Sequence, residues 1–518
     1  MRDGMLRRFG LVLALAAALP FADHSAGAQL PQAPAFTVTS RLVVLDVVVV
    51  DREGKPVTNL DKSKFSIVED KAPQTIKDFD APSGHAMPAG PGAIVNSAAD
   101  LAKIGQAPVN VLVFDELDTP FLHLAYARQM MEKYLKAQPE VLPVPTLFVA
   151  AGATKIAVLH DYTQSRTDLL ESIQKHTSDL DFTQVMRSLN GGATSADNGM
   201  VKTLGALSQI AASVKGVPGR KNVIWVGKGY DNAYDLTHMS ESDRDRVTAA
   251  IQQVTDRMLA ARVTLYTIDP EGPVAAQPLT DPGVDPTGTG SPTGSIGDYG
   301  DNLGFEGFAY ATGGRVIGGR NDLDAQVAQV SQEGTEYYTM SYVPTSTSDA
   351  ARPYRRIRVL VSDPSLRVIT REGYFGGEPA VSAVALERKA KQPADVKFDL
   401  LSAARTTLAY TGIHIDPQRS KTGYTLLVNA NDLQFKEQAD GSRLAEVTVV
   451  AVCYNAKGKE TSQLASELKE ELSATDRIEP QSKVGFAFPI IVPAFTARVR
   501  FVMRDAATAY LGSADGKP

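Results

Sequence analysis

Val109-Asn110-Val111-Leu112-Val113-Phe114-Asp115 decides how the rest of this chain is read. A strand with one wet face would alternate apolar with polar residues, whereas this run is almost continuously apolar and ends on a carboxylate, the pattern of a strand covered on both faces. The residues downstream of it repeat the theme. Leu124 to Lys136 has helical spacing, Thr146 to Ala151 and Ile156 to Leu159 read as strands, and Thr167 to His176 and Gly199 to Val214 read as helices. After the Pro218-Gly219 break come a strand at Asn222 to Val226, a helix at Ser242 to Ala261 and a strand at Val263 to Ile268. Helices are expected again at Phe305 to Thr312 and Leu323 to Gln332. Strands alternating with helices predict a parallel sheet with helices on both faces, over residues 108–334.

On either side the pattern becomes β-rich. Phe36 to Val50, Lys64 to Glu69 and Gln74 to Phe79 read as strands before the α/β segment, and Glu336 to Val343, Tyr354 to Val361 and Arg367 to Thr370 as strands after it. Three strands are too few to bury a face alone, so residues 29–82 and 335–376 are expected to pair into one β-module with the α/β domain inserted between them. Residues 83–107 and 377–396 read as linkers, and 397–518, with turns at Asp440-Gly441 and Ala456-Lys457-Gly458, as a C-terminal β-sandwich. Residues 269–304 are crowded with Pro, Gly, Thr and Asp, which predicts an exposed, poorly ordered loop. Gly288-Thr289-Gly290 within it is no nucleotide motif: no strand runs into it, no helix leaves it, and Thr293 stands where a third glycine belongs.

The first residues carry Arg2, Arg7 and Arg8, then the apolar run Leu11 to Leu19 and the small residues Ala26-Gly27-Ala28. This is the order of a secretory signal over residues 1–28, and it predicts export to the periplasm, the cell surface or the medium. No later stretch has the ~20 apolar residues of a membrane span. At 518 residues the chain is long enough for about three domains, and its net charge of -6 offers no basic footprint for nucleic acid. Cys453 is the only cysteine, so an exported chain must here do without an internal disulfide; alternation places it on one face with Val447, Val449 and Ala451, as a buried structural thiol.

Val111-Leu112-Val113-Phe114-Asp115-Glu116-Leu117-Asp118-Thr119 resembles the first strand and metal loop of von Willebrand factor A domains, where a strand ends in Asp-x-Ser-x-Ser. The order of further landmarks is similar to that of the acidobacterial VWFA-related family. They are Val44 to Asp51 with Gly54-Lys55-Pro56-Val57, Pro218 to Trp225, Thr264 to Asp269, Thr312-Gly313-Gly314-Arg315, Tyr337-Tyr338 and Arg371-Glu372-Gly373-Tyr374-Phe375. The resemblance implies an α/β Rossmann-like A domain and a metal-ion-dependent adhesion site holding Mg²⁺ or another divalent cation. Carried across, Asp115 matches the first Asp, Thr119 keeps the hydroxyl of the second Ser, and Thr194 in Gly191-Gly192-Ala193-Thr194-Ser195 matches the loop Thr. Leu117 replaces the first Ser, and Gly227-Lys228-Gly229 stands where the second Asp should follow Val226. A hydroxyl and a carboxylate are thus missing from a site that needs hard oxygen ligands, so the expected cofactor is none and the metal site degenerate. Lys228 is the candidate to replace the metal's charge beside Asp115; Asp118 and Asp231 fall off the motif.

Seven histidines are scattered without metal-ligand spacing, and there is no Gly-x-Ser-x-Gly elbow or Cys-His pair. Tyr337, Tyr338, Tyr342 and Tyr354, at strand spacing, read as sheet packing before they read as a recognition surface. The expected function is therefore a non-catalytic protein-binding or adhesion module with an unknown protein ligand. The alternatives are a secreted hydrolase with its site in the 269–304 loop and a purely structural envelope protein.

Overall fold

The computed structural model describes residues 42–117, 119–152, 156–176, 196–230, 240–271, 304–318, 321–345, 354–375, 400–479 and 482–518. The expected export signal, most of the 269–304 loop, the 377–396 segment, Asp118, Thr194 and Asp231 lie outside them.

Four strands come first: β1 (Val43–Val50), β2 (Phe65–Glu69), β3 (Ala72–Gln74) and β4 (Phe79–Asp80). Next are β5 (Val109–Asp115), α1 (Phe121–Ala137), β6 (Val141–Ala151), β7 (Ile156–Ser165), α2 (Arg166–Lys175) and α3 (Ala196–Val214). They are succeeded by β8 (Lys221–Val226), α4 (Glu241–Ala260), β9 (Val263–Ile268), α5 (Phe305–Ala311), β10 (Val316–Ile317) and α6 (Leu323–Glu333). The chain then returns through β11 (Tyr338–Tyr342), β12 (Tyr354–Val361), β13 (Arg367–Ile369) and β14 (Gly373–Phe375).

β5 to β10 form one six-stranded sheet in the order β10-β9-β8-β5-β6-β7. All its pairings are parallel except β6 with β7. Successive residues of each central strand feed opposite cores. Val111, Val113, Val223, Trp225 and Leu265 pack with Leu207 and Ile210 of α3, Val254 and Met258 of α4 and Phe308 of α5. Leu112, Phe114, Ile224, Val226 and Tyr266 pack with Ala127 and Met131 of α1, Ile173 of α2 and Val327 of α6. This two-sided burial is why the strands read as continuous apolar runs. The helices begin where the sequence allows: Ser165 caps α2 by accepting the Asp168 N–H at 3.2 Å, and Pro120 precedes α1.

The strands before and after this domain pair with one another. β1 lies between β11 and β13, with Val43 opposite Tyr342 and Val49 opposite Val368, and β2 runs beside β12 with Ile67 opposite Val359. Two four-stranded sheets result, β13-β1-β11-β4 and β14-β12-β2-β3, over a shared core of Leu45, Val47, Ile67, Tyr338, Met340 and Ile357. Tyr342 and Tyr374 both donate to the buried Glu69 carboxylate, which Arg355 also meets.

The expected linker at 83–107 is a correction. Val95, Leu101 and Ile104 are buried in the α/β core, and residues 98–104 wind as a 3₁₀ helix. Its few apolar residues are spread too widely to show a period, yet Val95, Leu101, Ile104 and Ala107 all join the buried cluster.

Eight strands complete the chain: β15 (Ile415–Ser420), β16 (Gly423–Asn429), β17 (Lys436–Glu437), β18 (Arg443–Asn455), β19 (Glu460–Leu472), β20 (Lys483–Pro489), β21 (Thr496–Asp505) and β22 (Leu511–Gly516). Sheet β15-β16-β20 and the sheet built on β18 and β21 share a core of Leu426, Phe486, Val449, Cys453 and Phe501. The other face of β18 is not wet. Val450, Val452 and Tyr454 join Leu400 and Ala404 in the cluster that holds α3, so this part packs against the α/β domain instead of standing apart. The backbones touch there: a Cβ on Gly216 would lie 2.1 Å from the Thr411 carbonyl oxygen. Among the described residues no helix is long and apolar enough to cross a membrane.

Candidate functional site

The strand order of the six-stranded sheet reverses between β5 and β8, and the crevice outside the carboxyl ends of such a pair is where open α/β sheets bind ligands. Asp115, the last residue of β5, is fully buried there. Its Oδ1 accepts the Leu117 N–H at 3.0 Å, and its Oδ2 accepts the Gly229 N–H at 2.8 Å. The Thr119 hydroxyl accepts the Lys228 N–H at 3.0 Å. The turn after β5 is thereby laced to the turn after β8, with side-chain oxygens on one side and backbone donors on the other.

Glycines make the lacing possible. Gly227 holds φ +150°, and a Cβ there would lie 2.2 Å from the Asp115 Cβ and 2.5 Å from the Thr119 hydroxyl. Gly229 holds φ +69°, with its missing Cβ 2.2 Å from the Phe305 ring. The Gly-x-Gly spacing after a buried strand is thus a demand for close approach. In the sequence the same spacing reads only as a lost ligand, because position alone does not show what the backbone meets.

Lys228 does not replace a metal charge at Asp115. Its side chain is exposed, and among the described residues no ion pair joins it to the buried carboxylate. What Lys228 contributes to the lacing is its backbone N–H. The carboxylate is neutralised in part by peptide dipoles, as hydrogen bonds from N–H groups favour a charged carboxylate.

Nor do the described residues fit Mg²⁺. Among the described residues Asp115 and Thr119 supply the oxygen side chains of the motif, Thr194 lying outside them; Leu117 offers an N–H where the motif has a hydroxyl, and both oxygens of Asp115 already accept N–H groups. Mg²⁺ needs near-octahedral oxygen ligation. Among the described residues no group of three or more His, Cys, Asp or Glu is placed to hold a metal ion.

A pair not foreseen from the sequence lies next to Asp115. His176 Nε2 and Glu116 Oε1 meet at 2.6 Å, with side chains 10% and 5% exposed. Arg128 donates to the His176 carbonyl at 2.5 Å, so α1 and the end of α2 are fastened to the same turn. Sixty residues separate Glu116 from His176, and no local spacing could announce them.

On the β9 side, Lys228, Tyr230, Asp269, Phe305 and Glu306 line a small cavity of about 100 Å³. Burial, and secondarily Asp269, push the Glu306 carboxyl above its ordinary value. Phe305 packs on Trp225 and Tyr230 at centroid distances of 5.3 and 5.7 Å, which fixes the cavity wall. Cavities that enclose a small-molecule substrate are typically ~300–1,000 Å³, so this one suits a protruding side chain better than a whole ligand.

No family model matches this chain, and no curated protein matches it. Among solved structures, the chain has a likeness to the human COPII-coat protein Sec24c at 8% identity, covering 53% of this chain and 44% of that one, with a TM-score of 0.23. The chain thus spans less than half of that protein, and a likeness so low carries no argument about fold or function.

Proposed function

We propose that this chain is an exported, non-catalytic protein-binding or adhesion module built on a von Willebrand factor A-like domain, working without a bound metal. The observation that carries the reading is the meeting of Asp115 and Thr119 with the Gly227–Gly229 turn at the point where the strand order reverses. Counted from its own first strand, the sheet order is 3-2-1-4-5-6, the doubly wound order, which supports the A-like assignment. The small cavity beside the exposed Lys228 supports recognition of a surface over enclosure of a substrate. The cationic start, apolar run and Ala26-Gly27-Ala28 support export, and the net charge of -6 favours a protein ligand over nucleic acid.

The test is retention of partners from an envelope fraction by the purified protein, with and without a chelator. A specific partner should be held equally in both, and Lys228→Glu with Glu306→Lys should release it. Retention that needs Mg²⁺ would overturn the metal-free reading, and turnover of a substrate without retention would favour the hydrolase.

A further inference from the structure

Ile491 and Phe495, in the loop between β20 and β21, are the most exposed large apolar side chains among the described residues, at 91% and 93%. Phe495 also holds φ +69°, a left-handed backbone that a bulky side chain rarely adopts. Between and beside them, Ile490 is buried and Val492 packs against the sandwich core. The loop is therefore anchored while its tip holds two apolar groups in water.

The strand register says what surrounds that tip. Gly423 lies opposite Pro489, Asn455 opposite Thr496 and Gly516 opposite Val499. The turn carrying Lys421, the turn carrying Lys457 and Lys459, and Lys517 after β22 accordingly emerge at the same end of the two sheets as the apolar loop. All four lysines are exposed, and among the described residues none pairs with a carboxylate. The acidic residues at this end are engaged elsewhere: Glu460 by Arg405 at 3.2 Å, and Asp515 by Arg498 and Arg500 at 3.5 and 3.3 Å.

We infer that this end of the C-terminal sheets docks on an anionic lipid surface, with Ile491 and Phe495 entering the headgroup boundary and the four lysines resting on the headgroups. A single exposed apolar residue is ordinary. Two on one short anchored loop, ringed by unpaired flexible cations, match the two-part energetics of interfacial binding, where apolar insertion and attraction to anionic lipid add. A protein groove would pair the cations with fixed carboxylates, whereas compact charges on flexible stems suit a diffuse anionic sheet. This surface lies on the C-terminal sheets, outside the Asp115 crevice, and is independent of the partner proposed there.

The experiment is flotation of the full chain with vesicles of phosphatidylcholine alone and of phosphatidylcholine with phosphatidylglycerol. Binding to the anionic vesicles is expected, weakening about tenfold for Ile491→Ser with Phe495→Ser and again in high salt. The double variant controls for binding by any other segment. Trp225 is the only tryptophan and is buried, so Phe495→Trp adds a single exposed reporter whose emission should shift to the blue on anionic vesicles. Unchanged binding of the Ser variants, or no shift at 495, would overturn the proposal. So would concentration-dependent dimerisation that the Ser variants abolish without any vesicle binding, which would assign the tip to a second copy of the chain.

Discussion

Arg262 reaches Asp46 with its Nη2 2.6 Å from the Asp46 Oδ1, although 216 residues separate them in the chain. The pair joins β1 of the β-module to the turn between α4 and β9. Arg262 takes a left-handed φ of +53° there and also donates to the Pro218 carbonyl at 2.9 Å and the Thr339 hydroxyl at 3.0 Å. An inserted domain needs a rigid seam with its host, and this guanidinium bonds to both sides of it.

Asp46→Ala should therefore lower global stability by about 3 kcal/mol, because it leaves a largely buried guanidinium without its carboxylate. Urea denaturation checks the size. Burial pushes the Asp46 carboxyl up, but the charge and hydrogen bond of Arg262 outweigh it and hold the carboxyl below its ordinary value. A depressed folded-state value means the stabilisation is present above the unfolded value of ~3.9 and is lost as pH falls through the folded one. Asp46→Asn should then flatten the acid limb of the stability curve below about pH 4 while leaving its shape near neutrality unchanged.

The elements of the α/β domain were legible because both-sided burial writes continuous apolar runs, and Val263–Ile268 matches the structure at both ends; in the β-module Tyr354–Val361, whose residues alternate between buried and exposed, matches too. What could not be read was burial without a period. Val95, Leu101 and Ile104 fill the core from a segment whose Ala, Gly and Pro content looks like a linker, and β18 is buried on a second face only because the chain returns to pack on α3. At the site, Asp115 and Thr119 were legible from their place after a buried strand, whereas the Glu116–His176 pair depends on tertiary return and has no sequence period. Lys228 misleads because sequence position names the residue but does not say that its backbone N–H is what bonds to Thr119.

Cys453 should stay silent to thiol reagents in the native protein. Its side chain is fully buried in the sandwich core with Phe486 and Phe501, and burial pushes its thiol above the ordinary value, so little thiolate exists to react. Labelling with an aromatic disulfide should require unfolding and follow the global transition in guanidinium. Fast labelling before that transition would show that the C-terminal sheets open on their own.

Gly227→Ala should damage the laced turns more than any charge change at Lys228. The new methyl would fall on Asp115 and Thr119 at distances no real Cβ tolerates, and the φ of +150° is itself strained for alanine. A cost of about 3 kcal/mol is expected from overpacking and strain together. Lys228→Ala, which keeps the backbone N–H to Thr119, should stay within about 0.5 kcal/mol of the parent. Thermal melts of the two variants distinguish a glycine held for close approach from a lysine held for charge.

The last prediction concerns the carboxylate at the centre of the site. If Asp115 serves to receive the Leu117 and Gly229 N–H groups, Asp115→Asn must turn an amide N–H₂ toward one of these donors. A lost charge-assisted hydrogen bond and an unsatisfied buried N–H should cost about 2 kcal/mol. The turns after β5 and β8 would then loosen together, which amide hydrogen exchange at Leu117 and Gly229 would register as a joint loss of protection. Mg²⁺ and Mn²⁺ should change neither the parent nor the variant, because two hard oxygens already engaged by donors leave too few ligands for either ion. Isothermal calorimetry gives the decisive contrast: micromolar binding of either ion by the parent, abolished in Asp115→Ala, would mean that Asp115 holds a metal and that the N–H groups only position it.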